Sequence, residues 1–223
     1  MNNSVLVLAG ASASGKTTVA HRILELDSRF KMIRSVTTRP KRNDSFDEEY
    51  IYLTEDEFSD LVNNNGVVEY TNYGGAFYGT PISEIERAFD DGHIPLLILD
   101  FNGVRSTVSH GSINACCVYL YDDLNVLEKR LYERYLASEP TTKKLNSFIT
   151  RKEQNIKDYL SMPQYSELFY SIIKNTEITS VAQRVISLFA LFENGEYTDA
   201  SFNMSEALEI SVNAKAKENS DRN

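Results

Sequence analysis

The chain has 223 residues, 42% of them hydrophobic, with a formal net charge of −9 and two cysteines. That length buries one substantial core and is short for two, so one domain carrying an inserted lobe is expected. The acidic balance excludes a general attraction to nucleic-acid backbone or anionic lipid, so any phosphate binding must come from local arginine and lysine clusters.

Met1-Asn2-Asn3-Ser4 lacks the basic start of an export signal, and an apolar run at 5–9 reads as a buried strand. Directly after it, Gly10-Ala11-Ser12-Ala13-Ser14-Gly15-Lys16-Thr17 fits the G-x-x-x-x-G-K-[ST] pattern and leads into a helical stretch. Small residues there let successive backbone N–H groups curl around a phosphate at the positive end of a helix. Lys16 would then place its charge on the β/γ oxygens of a nucleotide, and the Thr17 hydroxyl would ligate Mg²⁺.

A second core strand is expected at 31–36. Residues 37–80 change texture: they are rich in tyrosine, glycine and asparagine, with short alternating pieces such as Tyr50-Ile51-Tyr52-Leu53 and Val67-Val68-Glu69-Tyr70. This predicts a small antiparallel lobe inserted into an α/β core. Inside it, Thr54-x-x-Glu57 is a capping box opening a short helix that ends at Asn63-Asn64-Asn65-Gly66. Pro81 opens another helix, with Ile82, Ile85 and Phe89 on one face and Gly92 past its end.

Further core strands are expected at 94–100, 115–121 and 169–174. Cys116 and Cys117 are adjacent in the fourth strand, a placement that suits neither a disulfide framework nor a zinc site and points to a reducing, cytoplasmic setting. His21, His93 and His110 show no ligand spacing, and the longest apolar runs fall short of a membrane span. Leu124, Leu127 and Leu131 mark a helix, residues 137–144 interrupt it around Pro140, and a further helix begins at Leu145. Two helices joined by a polar loop make a lid at 124–155. A last helix at 181–192 stops at Asn194-Gly195. The polar remainder, within 193–223, is expected to be a tail without fixed structure, with a docked short helix around Ala207-Leu208-Glu209-Ile210 as the alternative. The fold class is therefore α/β, three layers around a mostly parallel five-stranded sheet.

Over residues 4–192 the chain resembles the guanylate kinase family. The resemblance rests on the 10–17 loop, Ser35-Val36-Thr37-Thr38-Arg39-Pro40-Lys41-Arg42, Tyr50, Val68-Glu69-Tyr70, Phe77-Tyr78-Gly79-Thr80, Asp100 with Gly103-Val104, and arginines 130, 134 and 151. It implies that Arg39, Arg42, Tyr50 and Tyr78 hold an acceptor phosphate, a role suited to guanidinium forks and tyrosine hydroxyls. Ser35, Glu69, Thr80 and Asp100 would read guanine, whose N1–H and N2–H₂ donors match a carboxylate and hydroxyls. The loop from Gly10 through Ala11, Ser12, Ala13, Ser14, Gly15, Lys16 and Thr17, with Thr18, Arg130 and Asn175, would bind ATP, and Lys16, Arg39, Arg134 and Arg151 would act on the transferring phosphoryl group. Two rival explanations stay open: Thr80 as a cap for the helix after Pro81, and Arg130 as a surface ion-pairing residue.

The sequence departs from the family twice. The loop between Arg42 and Tyr50 is one residue shorter, with Asp44-Ser45 in place of a glutamate, and Ile98 stands where the family has the first of two aspartates, leaving Asp100 alone. The implied reaction is ATP + GMP to ADP + GDP with Mg²⁺. The alternatives are a kinase for another purine monophosphate such as dGMP, and a catalytically impaired guanylate-kinase-like module that binds proteins. ATP and GMP or dGMP are the expected partners, with no nucleic acid and no membrane; monomer and homodimer both stay open.

Overall fold

The computed structural model describes residues 4–41, 50–73, 75–111, 113–197 and 200–221. In chain order the elements are β1 (Ser4–Ala9), α1 (Lys16–Leu26), β2 (Phe30–Met32), β3 (Ser35–Thr37), β4 (Tyr50–Tyr52), α2 (Glu55–Asn63), β5 (Val67–Tyr73), β6 (Ala76–Pro81) and α3 (Ile82–Asp90). Then follow β7 (Ile94–Leu99), α4 (Phe101–Ser109), β8 (Asn114–Tyr121), α5 (Leu124–Tyr135), α6 (Thr142–Tyr165), β9 (Ser171–Lys174), α7 (Ile178–Glu193) and α8 (Ala200–Asp221).

The central sheet has five strands in the order β2-β7-β1-β8-β9, and every neighbouring pair is parallel. Strand β1 is buried at all six positions because both faces of the sheet are covered. Its alternation divides the core in two. Val5, Val7 and Ala9 join Leu97, Tyr119 and Ile172 beneath α4, α6 and α8, whereas Leu6 and Leu8 join Leu96, Val118 and Ile173 against Val19 and Ile23 of α1 and Val185 and Phe189 of α7.

A second sheet runs in the order β4-β3-β6-β5. Its β3–β6 and β5–β6 pairs are antiparallel as expected, while β3 and β4 run parallel. The single strand expected at 31–36 is two strands. Phe30–Met32 pairs with β7 in the central sheet, and after Ile33 and Arg34 the chain crosses into the second sheet as Ser35–Thr37. This crossing places Ser35 on the lobe. The Thr54 capping box forms as expected, with Thr54 Oγ1 accepting the Glu57 N–H at 3.2 Å and the Glu57 carboxylate accepting the Thr54 N–H at 2.7 Å. Helix α6 starts three residues earlier than expected, capped by Thr141, whose hydroxyl accepts the Lys144 N–H.

The tail expectation is corrected. Residues 200–221 form α8, which buries Ala207, Ile210 and Ala214 in the same cluster as α6 residues Tyr159 and Met162. Two alanines at that spacing allow close helix–helix approach while adding little hydrophobicity, so the composition of the segment conceals its packing face. Polar contacts fix it further. Asn203 is 5% exposed, accepts the Ile172 N–H at 3.2 Å and donates to Phe169 O at 2.8 Å. Glu206 accepts from Tyr121 Oη, and Lys217 pairs with Glu128 of α5 at 3.0 Å.

Candidate active site

The loop at 10–17 connects β1 to α1 and turns through three positive-φ positions: Gly10 at 151°, Ala13 at 67° and Gly15 at 92°. Two of these admit only glycine for reasons of space as well. A Cβ on Gly10 would lie 2.2 Å from Leu120 O, and one on Gly15 would lie 2.2 Å from Asn175 Nδ2. Lys16 Nζ donates back to Gly10 O at 2.8 Å and Ala11 O at 2.9 Å, spanning the loop. Burial lowers its pKa to about 8; Asp158 and Asp100 oppose that shift, and the charges of Arg151 and Arg134 add to it. Thr17 and Thr18 are exposed in the first turn of α1, where the helical N–H groups have no intrahelical partner.

The second sheet presents one working face. Ser35 is in register with Tyr50, and Thr37 with Tyr52 and Tyr78, so side chains from β3, β4 and β6 project together. Arg39 lies over them, 8% exposed, with its guanidinium 5.2 Å from the Tyr50 ring and 5.5 Å from the Tyr52 ring, and its Nη2 donates to Tyr52 Oη at 3.0 Å. The Tyr50 and Tyr78 rings meet edge-on at 6.1 Å. Arg39, Tyr50 and Tyr78 are therefore brought together as the sequence implied; Arg42 lies outside the described residues. Tyr52 was missed, although its position two residues after Tyr50 on a strand is a signal for a shared face.

Two residues further along β6, Thr80 donates to Glu69 Oε1 at 2.8 Å. Helix α3 is capped at Pro81 without a side-chain bond, so the capping explanation for Thr80 falls away. Burial pushes the Glu69 carboxyl up to about 7, against the Thr80 hydrogen bond and with help from the charge of Asp100. Asp100 caps α4 by accepting the Gly103 N–H at 2.9 Å and is otherwise exposed. Asp100 follows Leu99, which is in register with Ala9 just before the loop, and Gly103, whose N–H it accepts, lies against the Glu69 side chain, so it stands between the loop and the second sheet.

Helices α5 and α6 close the loop side. Arg130 pairs with Asp122 at 2.9 Å and donates to Ala13 O at 3.2 Å; it is an ion-pairing residue that also reaches the loop. Arg151 Nη1 donates to Ser12 Oγ at 3.0 Å, and its guanidinium lies 5.8 Å from the Tyr135 ring. Arg134 is exposed on α5. Two residues of α6 that the sequence reading missed also face the loop. Asn155 bonds the Ser12 backbone, and the half-buried Asp158, its carboxyl raised by burial, feels the charges of Lys16 and Asp100. Their only signal is helical spacing of four and seven residues from Arg151.

A family model described as guanylate kinase matches residues 2–192. This chain belongs to the guanylate kinase family. A guanylate kinase of Streptococcus thermophilus (strain CNRZ 1066) is 30% identical over 184 residues, 81% of this chain and 83% of the relative. One from Rickettsia bellii (strain RML369-C) is 31% identical over 137 residues, 60% of this chain and 71% of the relative. The crystal structure of guanylate kinase from Anaplasma phagocytophilum shares the fold, with a TM-score of 0.55 at 24% identity, covering 84% of this chain and 85% of that one.

Asn175, expected to bind ATP, is 4% exposed and donates its Nδ2–H to Ser14 O at 2.7 Å. It sits under the loop and supports it, a consequence of the close approach that requires Gly15. Ile98 is partly buried against the core cluster on the α1 side, so the side chain that replaces the family aspartate contributes packing there. No helix of the described residues is long and apolar enough to cross a membrane.

Proposed function

We propose that the chain transfers the γ-phosphoryl group of ATP to GMP, giving ADP and GDP. The observation that supports this most is the position of Asp100, next to the strand residue in register with Ala9 before the loop and capping α4 at Gly103, which lies against the carboxylate that pairs with Thr80. In this proposal a donor site and an acceptor site lie on either side of Asp100. The loop N–H groups and Lys16 hold the donor phosphates; Arg39, Arg42, Tyr50 and Tyr78 hold the acceptor phosphate; Glu69, Thr80, Ser35 and Asp100 read guanine. Arg134 and Arg151, on the helices flanking residues 136–141, close over the transferring group and stabilise its spread negative charge. No side-chain nucleophile is needed, because the work is alignment and charge neutralisation.

Mg²⁺ fits this donor set. Among the described residues no cluster of three or more His, Cys, Asp or Glu could cage a metal. Mg²⁺ takes most of its ligands from phosphates and water, so the exposed Thr17 hydroxyl suffices as a protein ligand. When bound, it neutralises charge on the β- and γ-phosphates. The free, buried thiols of Cys116 and Cys117 support a reducing, cytoplasmic setting.

Ile98 favours a second reading, a protein-binding module with impaired catalysis; an intact phosphate loop speaks against it. A coupled assay of ATP·Mg²⁺ with GMP, dGMP, AMP, CMP and UMP separates the readings. Turnover is expected with GMP and absent with AMP and the pyrimidines; no turnover with any acceptor overturns the kinase reading.

A further inference from the structure

We propose that Asn155 is a positioning residue of the phosphate loop, its amide locking the Ser12 peptide from both sides so that the loop is shaped for phosphate before nucleotide arrives. The inference rests on the kinase reading and concerns its donor site. Asn155 is 2% exposed. Its Oδ1 accepts the Ser12 N–H at 2.8 Å, and its Nδ2 donates to Ser12 O at 3.0 Å. Both polar atoms of a buried side chain are thereby committed to one residue of the loop, across 143 positions of sequence.

The next residue explains why a lock is useful there. Ala13 holds φ at 67°, a left-handed conformation that disfavours any residue with a Cβ and persists only where the surroundings over-determine it. The Ser12–Ala13 segment is held at three points: Asn155 on the Ser12 peptide, Arg151 Nη1 on Ser12 Oγ at 3.0 Å, and Arg130 Nη1 on Ala13 O at 3.2 Å. Of these, only Asn155 fixes both polar groups of a backbone unit, as a neighbouring strand would.

The lock also decides which donors face the anion. The Ser12 N–H is taken by Asn155, and the Ser14 N–H donates to Ala11 O at 3.2 Å. The N–H groups at the start of α1, Lys16 and Thr17, remain for phosphate, at the helix end that favours negative charge. The anchor beneath the lock is firm. Tyr159, on the next turn of α6, exchanges hydrogen bonds with the Asp122 backbone at 2.8 and 3.1 Å, and α8 packs on the same helix.

The test measures ADP and GMP binding by titration calorimetry for wild type, Asn155→Ala and Asn155→Asp, with KM for ATP and kcat alongside. Asn155→Ala is expected to weaken ADP about tenfold and raise KM for ATP to match, with GMP affinity within about twofold and kcat changed far less than KM. Asn155→Asp keeps the acceptor for the Ser12 N–H and sets an oxygen against Ser12 O, so it is expected to weaken ADP as well; it decides the question alone where the alanine variant does not fold. Unchanged ADP affinity in the folded variants overturns the inference, and so does an equal loss for ADP and GMP, which a merely structural role would produce. A wild-type protein that binds GMP but no ADP overturns the donor-site reading itself.

Discussion

Thr80 Oγ1 donates to Glu69 Oε1 at 2.8 Å across neighbouring strands of the second sheet, holding a carboxylate whose pKa burial raises to about 7. Between pH 4.5 and 7 the nucleotide-free protein therefore binds a proton on Glu69 that the unfolded chain does not. The group's contribution to stability is full below pH 4.5 and is lost as pH rises through about 7, an effect on the order of 3 kcal/mol. In the proposed guanine-reading role Glu69 accepts in its ionised form, so GMP binding at pH 6 should release a proton, and GMP affinity should rise towards pH 8. Glu69→Gln should lose about 1–3 kcal/mol of GMP affinity and the proton release with it. Calorimetry in buffers of different ionisation enthalpy measures both, and a pH-independent GMP affinity in wild type would contradict the assignment.

Lys16 is the counterpart on the proposed donor side. Burial lowers its pKa to about 8 in the free protein, so its charge is present below that pH and fades above it. The kcat/KM for ATP should fall as pH rises through about 8. Removing the opposing charge with Asp158→Asn should move that break to lower pH, whereas Lys16→Ala should cost on the order of a hundredfold or more in turnover. The pH–rate profiles of the wild type and the Asp158 variant decide it; identical breaks would mean that Asp158 does not act on Lys16.

The docking of α8 depends on Asn203, which satisfies the Ile172 N–H and Phe169 O at the edge of the central sheet. Asn203→Ala leaves two buried backbone groups without these partners and should destabilise the protein by about 1–3 kcal/mol. The urea midpoint should fall with an unchanged slope, and GMP turnover at 25 °C should stay near wild type. A midpoint equal to wild type would show that α8 is held by its apolar face alone.

Cys116 and Cys117 are fully buried in β8, and burial pushes the Cys117 thiol up to about 12 and the Cys116 thiol higher still. Neither should react with a disulfide reagent in the native state, and both should react once the chain is unfolded in denaturant. Stoichiometric labelling of the native protein would count against this core assignment.

Much of the site was legible because its signals are local. The 10–17 loop is a backbone shape that particular residues permit, and Gly10 and Gly15 stand where a Cβ would lie 2.2 Å from a neighbouring atom. The Thr54 capping box and the positive φ of Gly92, 78° just after α3, are likewise set by residues within one turn of the position they govern. Thr80 could be seen in the sequence but not assigned: whether its hydroxyl caps a helix or meets Glu69 depends on which strand lies beside it.

The sequence by itself therefore determined the loop, the alternating strands and the family pattern, since each follows from neighbours along the chain. Tertiary structure decided what lies across it. The 31–36 run divides at Ile33 and Arg34 because two sheets compete for it: β7 claims Phe30–Met32, while β4 and β6 claim Ser35–Thr37. Helix α8 exists as packing between Ala207, Ile210, Ala214 and α6, an energy invisible in a segment of such polar composition. Asn155 meets Ser12 only when α6 is laid against the loop, and no periodicity within either segment encodes that meeting, because a hydrogen bond across 143 residues is fixed by how the elements pack.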